Sequence, residues 1–296
     1  MTGRAPTTAP MIADGPPRGD HCPLPQEGGR EARVASKPGG GIHISLISHT
    51  NAGKTTLART LLGRDVGEVR DAPHVTHQAT AYPLVASPQG DELVLWDTPG
   101  FGDSARLAKR LSQQGNPIGW FLAEVWDRFR DRGFWHSQQA VRNVRDSADV
   151  VLYLVNASEA PDDAGWLGPE MDVLDWVGKP IVVLLNQTGR PRPRVEEEAD
   201  EARWRGVLAG RRQVRDVLAL DAFARCWVQE FTLFRAIAAT LPAARREAFA
   251  RLAAAWRAKR MATFEASMAV LAAPIARAAL DGETLPDGGM AGEFRN

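Results

Sequence analysis

Eight consecutive residues, Ser48-His49-Thr50-Asn51-Ala52-Gly53-Lys54-Thr55, fit the spacing G-x-x-x-x-G-K-[ST], with Ser48 at the first glycine. Residue types in this order suit one chemistry. The backbone N–H groups of such a loop and the N-terminus of a following helix surround a chain of phosphates with partial positive charge. Gly53 lets the backbone come close, Lys54 reaches the terminal phosphates, and the Thr55 hydroxyl is a ligand for Mg²⁺ bound to the same oxygens. Thr56 follows on the same turn and joins this binding set.

A second cluster, Trp96-Asp97-Thr98-Pro99-Gly100, places an Asp at the end of an apolar run and Pro-Gly two residues later. Asp97 suits a water-mediated hold on Mg²⁺, and the Gly100 amide suits sensing of a γ-phosphate. Coming soon after the first loop in sequence, this turn makes a chance match of the pair improbable.

These groups must be positioned by a strand-loop-helix unit. Ile42, Ile44, Leu46 and Ile47 form a β-prone run ending at Ser48, and 55–62 reads as a helix. Further strands are expected at 80–87, 92–97, 150–155, 181–185 and 215–220; the runs at 150–155 and 181–185 are continuously apolar, as strands covered on both faces are. The spacing predicts an α/β fold with a mostly parallel six-stranded sheet. Residues 101–149 are too long for one crossover helix and predict a helical insertion. A helix is expected over 222–240, ended by Pro242, and an Ala-rich segment at 243–282 reads as one long helix, bent near Pro274.

The flanks differ in composition. Residues 1–40 hold 7 Pro and 7 Gly and few large apolar side chains, which predicts a disordered tail ahead of a domain at 41–242; residues 283–296 have the composition of a flexible end. Lys plus Arg equals Asp plus Glu at 36 each, so no net field draws the chain to nucleic acid, and no DNA partner is expected. Cys22 and Cys226 fit no metal or redox spacing, and the histidines fit no ligand pattern. With no apolar core of signal-peptide length near the start and no uninterrupted apolar run of about eighteen residues, the chain is expected neither to be secreted nor to span a membrane.

Ser-His-Thr-Asn-Ala-Gly-Lys-Thr together with Trp-Asp-Thr-Pro-Gly resembles the Era and TrmE branch of bacterial TRAFAC-class GTPases, over about 41–240. The resemblance implies a P-loop NTPase G domain that binds GTP and GDP with Mg²⁺ and cycles between two states. It implies that a Thr before the second strand closes over the γ-phosphate and metal: Thr76 is the best match, with Thr80 its competitor. Lys54, Gly100 and Thr76 then carry the catalytic roles, and Thr55, Thr76 and Asp97 the metal. Phe101 stands where self-sufficient relatives place a Gln that orients water, which predicts slow turnover. Asn51 stands where K⁺-activated relatives carry Asn, so K⁺ is a candidate activator.

For the base, such GTPases end the fifth strand with N-K-x-D. Here it runs into Asn186-Gln187-Thr188-Gly189, keeping the Asn but offering no carboxylate, so preference for GTP over ATP should weaken. Asp221 can compensate, with Ala222 beside it, or it can cap the helix expected at Ala222. In the insertion, Trp120, Phe121, Val125, Trp126, Phe129, Phe134 and Trp135 form either a docking face or a packed stripe. Two functions remain: a slow GTPase switch, or a nucleotide-binding scaffold that has lost hydrolysis. The partner is open among a protein, the ribosome and a membrane, and the expected place is the cytoplasm or the inner-membrane surface.

Overall fold

Apolar runs without polar alternation become strands covered on both faces, and in the computed structural model the runs at 150–156 and 181–186 are inner strands of one six-stranded sheet. The structure describes residues 41–49, 52–63, 65, 79–98, 100, 103–113, 132–222 and 227–281. In chain order the elements are β1 (Ile42–Ser48), α1 (Lys54–Leu62), β2 (Thr80–Ala86), β3 (Glu92–Asp97), α2 (Ser104–Gln113), α3 (Arg132–Ser147) and β4 (Val150–Asn156). A 3-10 turn (Pro161–Asp163) then leads to α4 (Leu167–Val177), β5 (Ile181–Asn186), α5 (Arg194–Leu208), β6 (Val214–Ala219), α6 (Trp227–Thr240) and α7 (Ala243–Leu280).

The strand order is β2-β3-β1-β4-β5-β6, with only β2 antiparallel to its neighbour. This is the α/β, mostly parallel sheet expected. Strand alternation divides the core in two. Val150, Leu152 and Leu154 of β4 join Leu57, Leu233, Phe234, Phe249, Leu252 and Trp256 from α1, α6 and α7. Val151, Tyr153 and Val155 face the other way, against Leu107, Phe134, Met171 and Trp204 from α2, α3, α4 and α5. Helices on both faces place the loops after β1, β3, β5 and β6 at one sheet edge, where ligands bind in such folds.

Three expectations can be set against the described residues. The helix expected at Ala222 is described from Trp227, since residues 223–226 lie outside the described set. The insertion contains α2 and α3; Trp120, Phe121, Val125, Trp126 and Phe129 lie outside the described residues, while Phe134 is buried beneath the Arg106 guanidinium at 4.1 Å. One feature bears on the expectation that the chain spans no membrane. Helix α7 runs through Pro274 without ending, and a stretch of it is long and apolar enough to cross a bilayer and is wholly exposed. Thr263, Glu265, Ser267 and Arg277 interrupt the apolar residues there, so no unbroken apolar run of about eighteen residues occurs although the average is apolar.

Candidate functional site

The strand β1, which lies between β3 and β4, ends at Ser48, and α1 begins at Lys54. Gly53, at φ 89°, turns the chain into the helix. Lys54 is buried and donates to Ser48 Oγ at 3.1 Å. Burial lowers its pKa, opposed by the charges of Asp97 and Glu170. An ammonium held dry beside two carboxylates meets little competition from water for an incoming polyphosphate.

Asp97, the last residue of β3, accepts from Thr55 Oγ1 at 2.9 Å through Oδ2. Its other oxygen, Oδ1, is buried and has no hydrogen-bond partner among the described residues. Burial raises the Asp97 pKa, countered by Lys54 and the Thr55 hydrogen bond. A hydroxyl and a dry carboxylate with a spare lone pair form a hard-oxygen donor set, which fits Mg²⁺. Gly100 lies against the loop: a Cβ there would stand 3.2 Å from Ser48 O and 3.3 Å from Lys54 Nζ. Thr50, Asn51, Thr76, Pro99 and Phe101 lie outside the described residues.

The base side is organised by Asn186, buried at the end of β5. Its Nδ2 donates to Ala52 O at 2.8 Å, and its Oδ1 accepts from Ala222 N at 2.8 Å. One side chain thus ties the phosphate loop to the segment after β6. A Cβ on Gly53 would fall 2.5 Å from Asn186 Nδ2, so that glycine is also required by the side chain behind it. Thr60 Oγ1 adds a bond to Ala222 O at 3.0 Å. Gln187 adopts φ 59° and Gly189 φ 81°, so the loop after β5 turns sharply where a carboxylate is missing. Asp221 reaches this loop: its Oδ2 accepts from Thr188 N at 2.9 Å and from Thr188 Oγ1 at 3.2 Å.

Residues 43–187 match the family model described as 50S ribosome-binding GTPase. Over those residues the chain is similar to the bacterial TRAFAC P-loop GTPases. Relatives of this GTPase domain include GTPase Der of Methylococcus capsulatus, 27% identical over 161 residues, which are 54% of this chain and 29% of the relative. The tRNA modification GTPase MnmE of a Synechococcus is 26% identical over 148 residues, 50% of this chain and 26% of that protein. The chain therefore spans under a third of the length of either. Among solved structures, Aquifex aeolicus Era bound to GDP and aluminium fluoride is 17% identical, covering 69% of this chain and 57% of its own, with a TM-score of 0.49.

One group in the GTPase domain was not legible in the sequence. His49, counted with the phosphate loop, turns its ring toward α4, where Nδ1 lies 2.6 Å from Glu170 Oε1 and the ring stacks on Trp166 at 4.8 Å. Glu170 is buried and accepts at Oε2 from the Tyr153 hydroxyl at 2.5 Å. Burial raises the Glu170 pKa, against the hydrogen bonds of His49 and Tyr153. A lone Glu in the first turn of an apolar helix reads as an ordinary N-terminal acid; only the fold carries it to the loop.

Proposed function

We propose that the chain binds GTP with Mg²⁺, hydrolyses it slowly, and acts as a switch whose moving parts are the Thr76 segment and residues 97–100. The observation that carries this reading is the approach of Gly100 to Lys54 Nζ and Ser48 O, which brings the sensing turn against the phosphate loop. In this reading the Lys54 ammonium binds the terminal phosphates, and the Gly100 amide reports whether a γ-phosphate is present. Thr55, Asp97 and Thr76 would hold Mg²⁺, whose charge offsets that of the phosphate oxygens. Phe101 can neither orient nor activate water, so turnover is slow. K⁺ beside Asn51 is proposed to supply missing positive charge; phosphate release no faster in KCl than in NaCl at equal ionic strength would remove it.

The Asn186 side chain spends both amide ends within the protein, and Asp221 is proposed as the carboxylate on the guanine side. A second reading, a nucleotide-binding scaffold with no hydrolysis, draws support from Phe101 together with Gln187 and Gly189 in the altered base motif. Phosphate release measured with GTP and with ATP decides between them, with Lys54→Ala as control. Slow release from GTP that the substitution abolishes is expected. Binding without release supports the scaffold, and faster release from ATP overturns the guanine assignment.

A further inference from the structure

Helix α7 changes character half-way along. Phe249, Leu252 and Trp256 are buried against the sheet, and Arg260 closes that half by donating to Glu230 Oε2 at 2.8 Å and to Leu61 O at 3.1 Å. From 262 to 280 every residue is exposed. Phe264, Met268, Leu271 and Ile275 lie on one side at 47–67% exposure, while Val270 at 73% and Leu280 at 86% point elsewhere. The rest is mostly alanine, including Ala262, Ala266, Ala269 and Ala273 on the side opposite the large residues. No face is polar.

We propose that residues 262–280 insert into a lipid bilayer and anchor the G domain at its surface. Four observations choose lipid over a protein partner. Residues 266–276 carry no charge on any side and suit an apolar medium all round, whereas a second copy docked on the Phe264–Ile275 stripe would leave the alanine face in water with Arg277 near its end as the charge on that side. Nineteen helical residues extend about 28 Å at 1.5 Å each, close to the hydrocarbon thickness of about 30 Å.

The polar groups within the segment are placed as a bilayer demands. The Thr263 and Ser267 hydroxyls donate to the carbonyls of Lys259 at 3.0 Å and Thr263 at 2.8 Å, so neither needs water. The two charges, Glu265 and Arg277, stand within about a turn of either end, where long side chains reach the headgroups, and residues 266–276 carry none. Flanking charge is asymmetric. Arg245, Arg246, Arg251, Arg257, Lys259 and Arg260 face one Glu247 on the G-domain side, while 281–296 hold Asp281, Glu283, Asp287 and Glu293 with one Arg295. Basic residues stay on the cytoplasmic side of a membrane helix, which keeps the G domain there.

The test is flotation of the full chain with vesicles of phosphatidylcholine and phosphatidylglycerol. The chain is expected to float and to stay with the vesicles in 1 M NaCl, because insertion is not screened as surface attraction is. Leu271→Arg, exposed and remote from the nucleotide site, should reduce the floated fraction at least tenfold while nucleotide binding and circular dichroism stay at wild-type values. Release of the wild-type chain by salt, equal flotation of the variant, or retention at the bottom of the gradient with the chain bound to itself or to ribosomes would each overturn the proposal. Because nucleotide binding is read in the same samples, failure here and failure of the GTPase reading are separable.

Discussion

The two ends of the nucleotide site are built by different means. The phosphate end is mostly local: one strand, one loop and the first turn of α1 supply Ser48, Lys54 and Thr55, and Asp97 joins them from the end of β3. The base end gathers three loops, held by the buried amide of Asn186 between Ala52 and Ala222, and by Asp221 on Thr188. At the first end Asp97 keeps a buried oxygen with no hydrogen-bond partner among the described residues. Asn186 faces inward, with both ends of its amide used by the fold. Asn186 is therefore a brace between these loops in the structure, whatever it does for a bound base.

This contrast predicts effects of different kind and size. Lys54→Ala should weaken GDP and GTP binding roughly 100-fold or more, since charge-assisted contacts to several phosphate oxygens vanish together. Titration calorimetry checks it, and unchanged GDP affinity would break the assignment of the phosphate end. Asn186→Ala should act on the fold instead. It orphans the Ala52 carbonyl and the Ala222 N–H, at about 1–3 kcal/mol each, so thermal unfolding should show a clear loss of stability while the GTP to ATP affinity ratio changes little. A large change in that ratio with unchanged stability would reverse the roles given to the two ends.

Asp221→Ala should do the opposite: the GTP to ATP ratio falls, by about tenfold or less, if its carboxylate serves the guanine edge. Competition binding reads this directly, and an unchanged ratio would leave Asp221 a structural role, such as its hold on Thr188. The smallest effect lies away from both ends. Asp91 accepts from Arg251 Nε at 2.7 Å and Nη2 at 3.0 Å, which with the Ser87 hydroxyl lowers its pKa from 3.8 to about 2. A depressed folded-state pKa means the pair stabilises above the unfolded value and loses that contribution as pH falls from about 4 toward 2. Acid unfolding of Asp91→Asn should show a slightly shallower pH dependence in that window, with nucleotide affinity untouched.

The sequence by itself determined the elements that chemistry and burial specify locally. The runs at 150–156 and 181–186 are apolar on both faces and the run at 42–48 is β-prone, which made them strands, and glycine, lysine and threonine at fixed spacing pointed to a loop that would cradle phosphate. Asp97 was legible because a strand end followed by Pro-Gly places it. What the tertiary structure alone decided are relations between residues far apart in the chain. Glu170 reaches His49 across 121 positions, and Asn186 dictates a glycine at 53 by occupying the space behind it. The periodicity of α7 showed a helix but not that one half packs and the other stands free. Residues such as Phe249 and Phe264 are of the same type; only the sheet surface, which ends near Arg260, makes one of them core and leaves the other exposed.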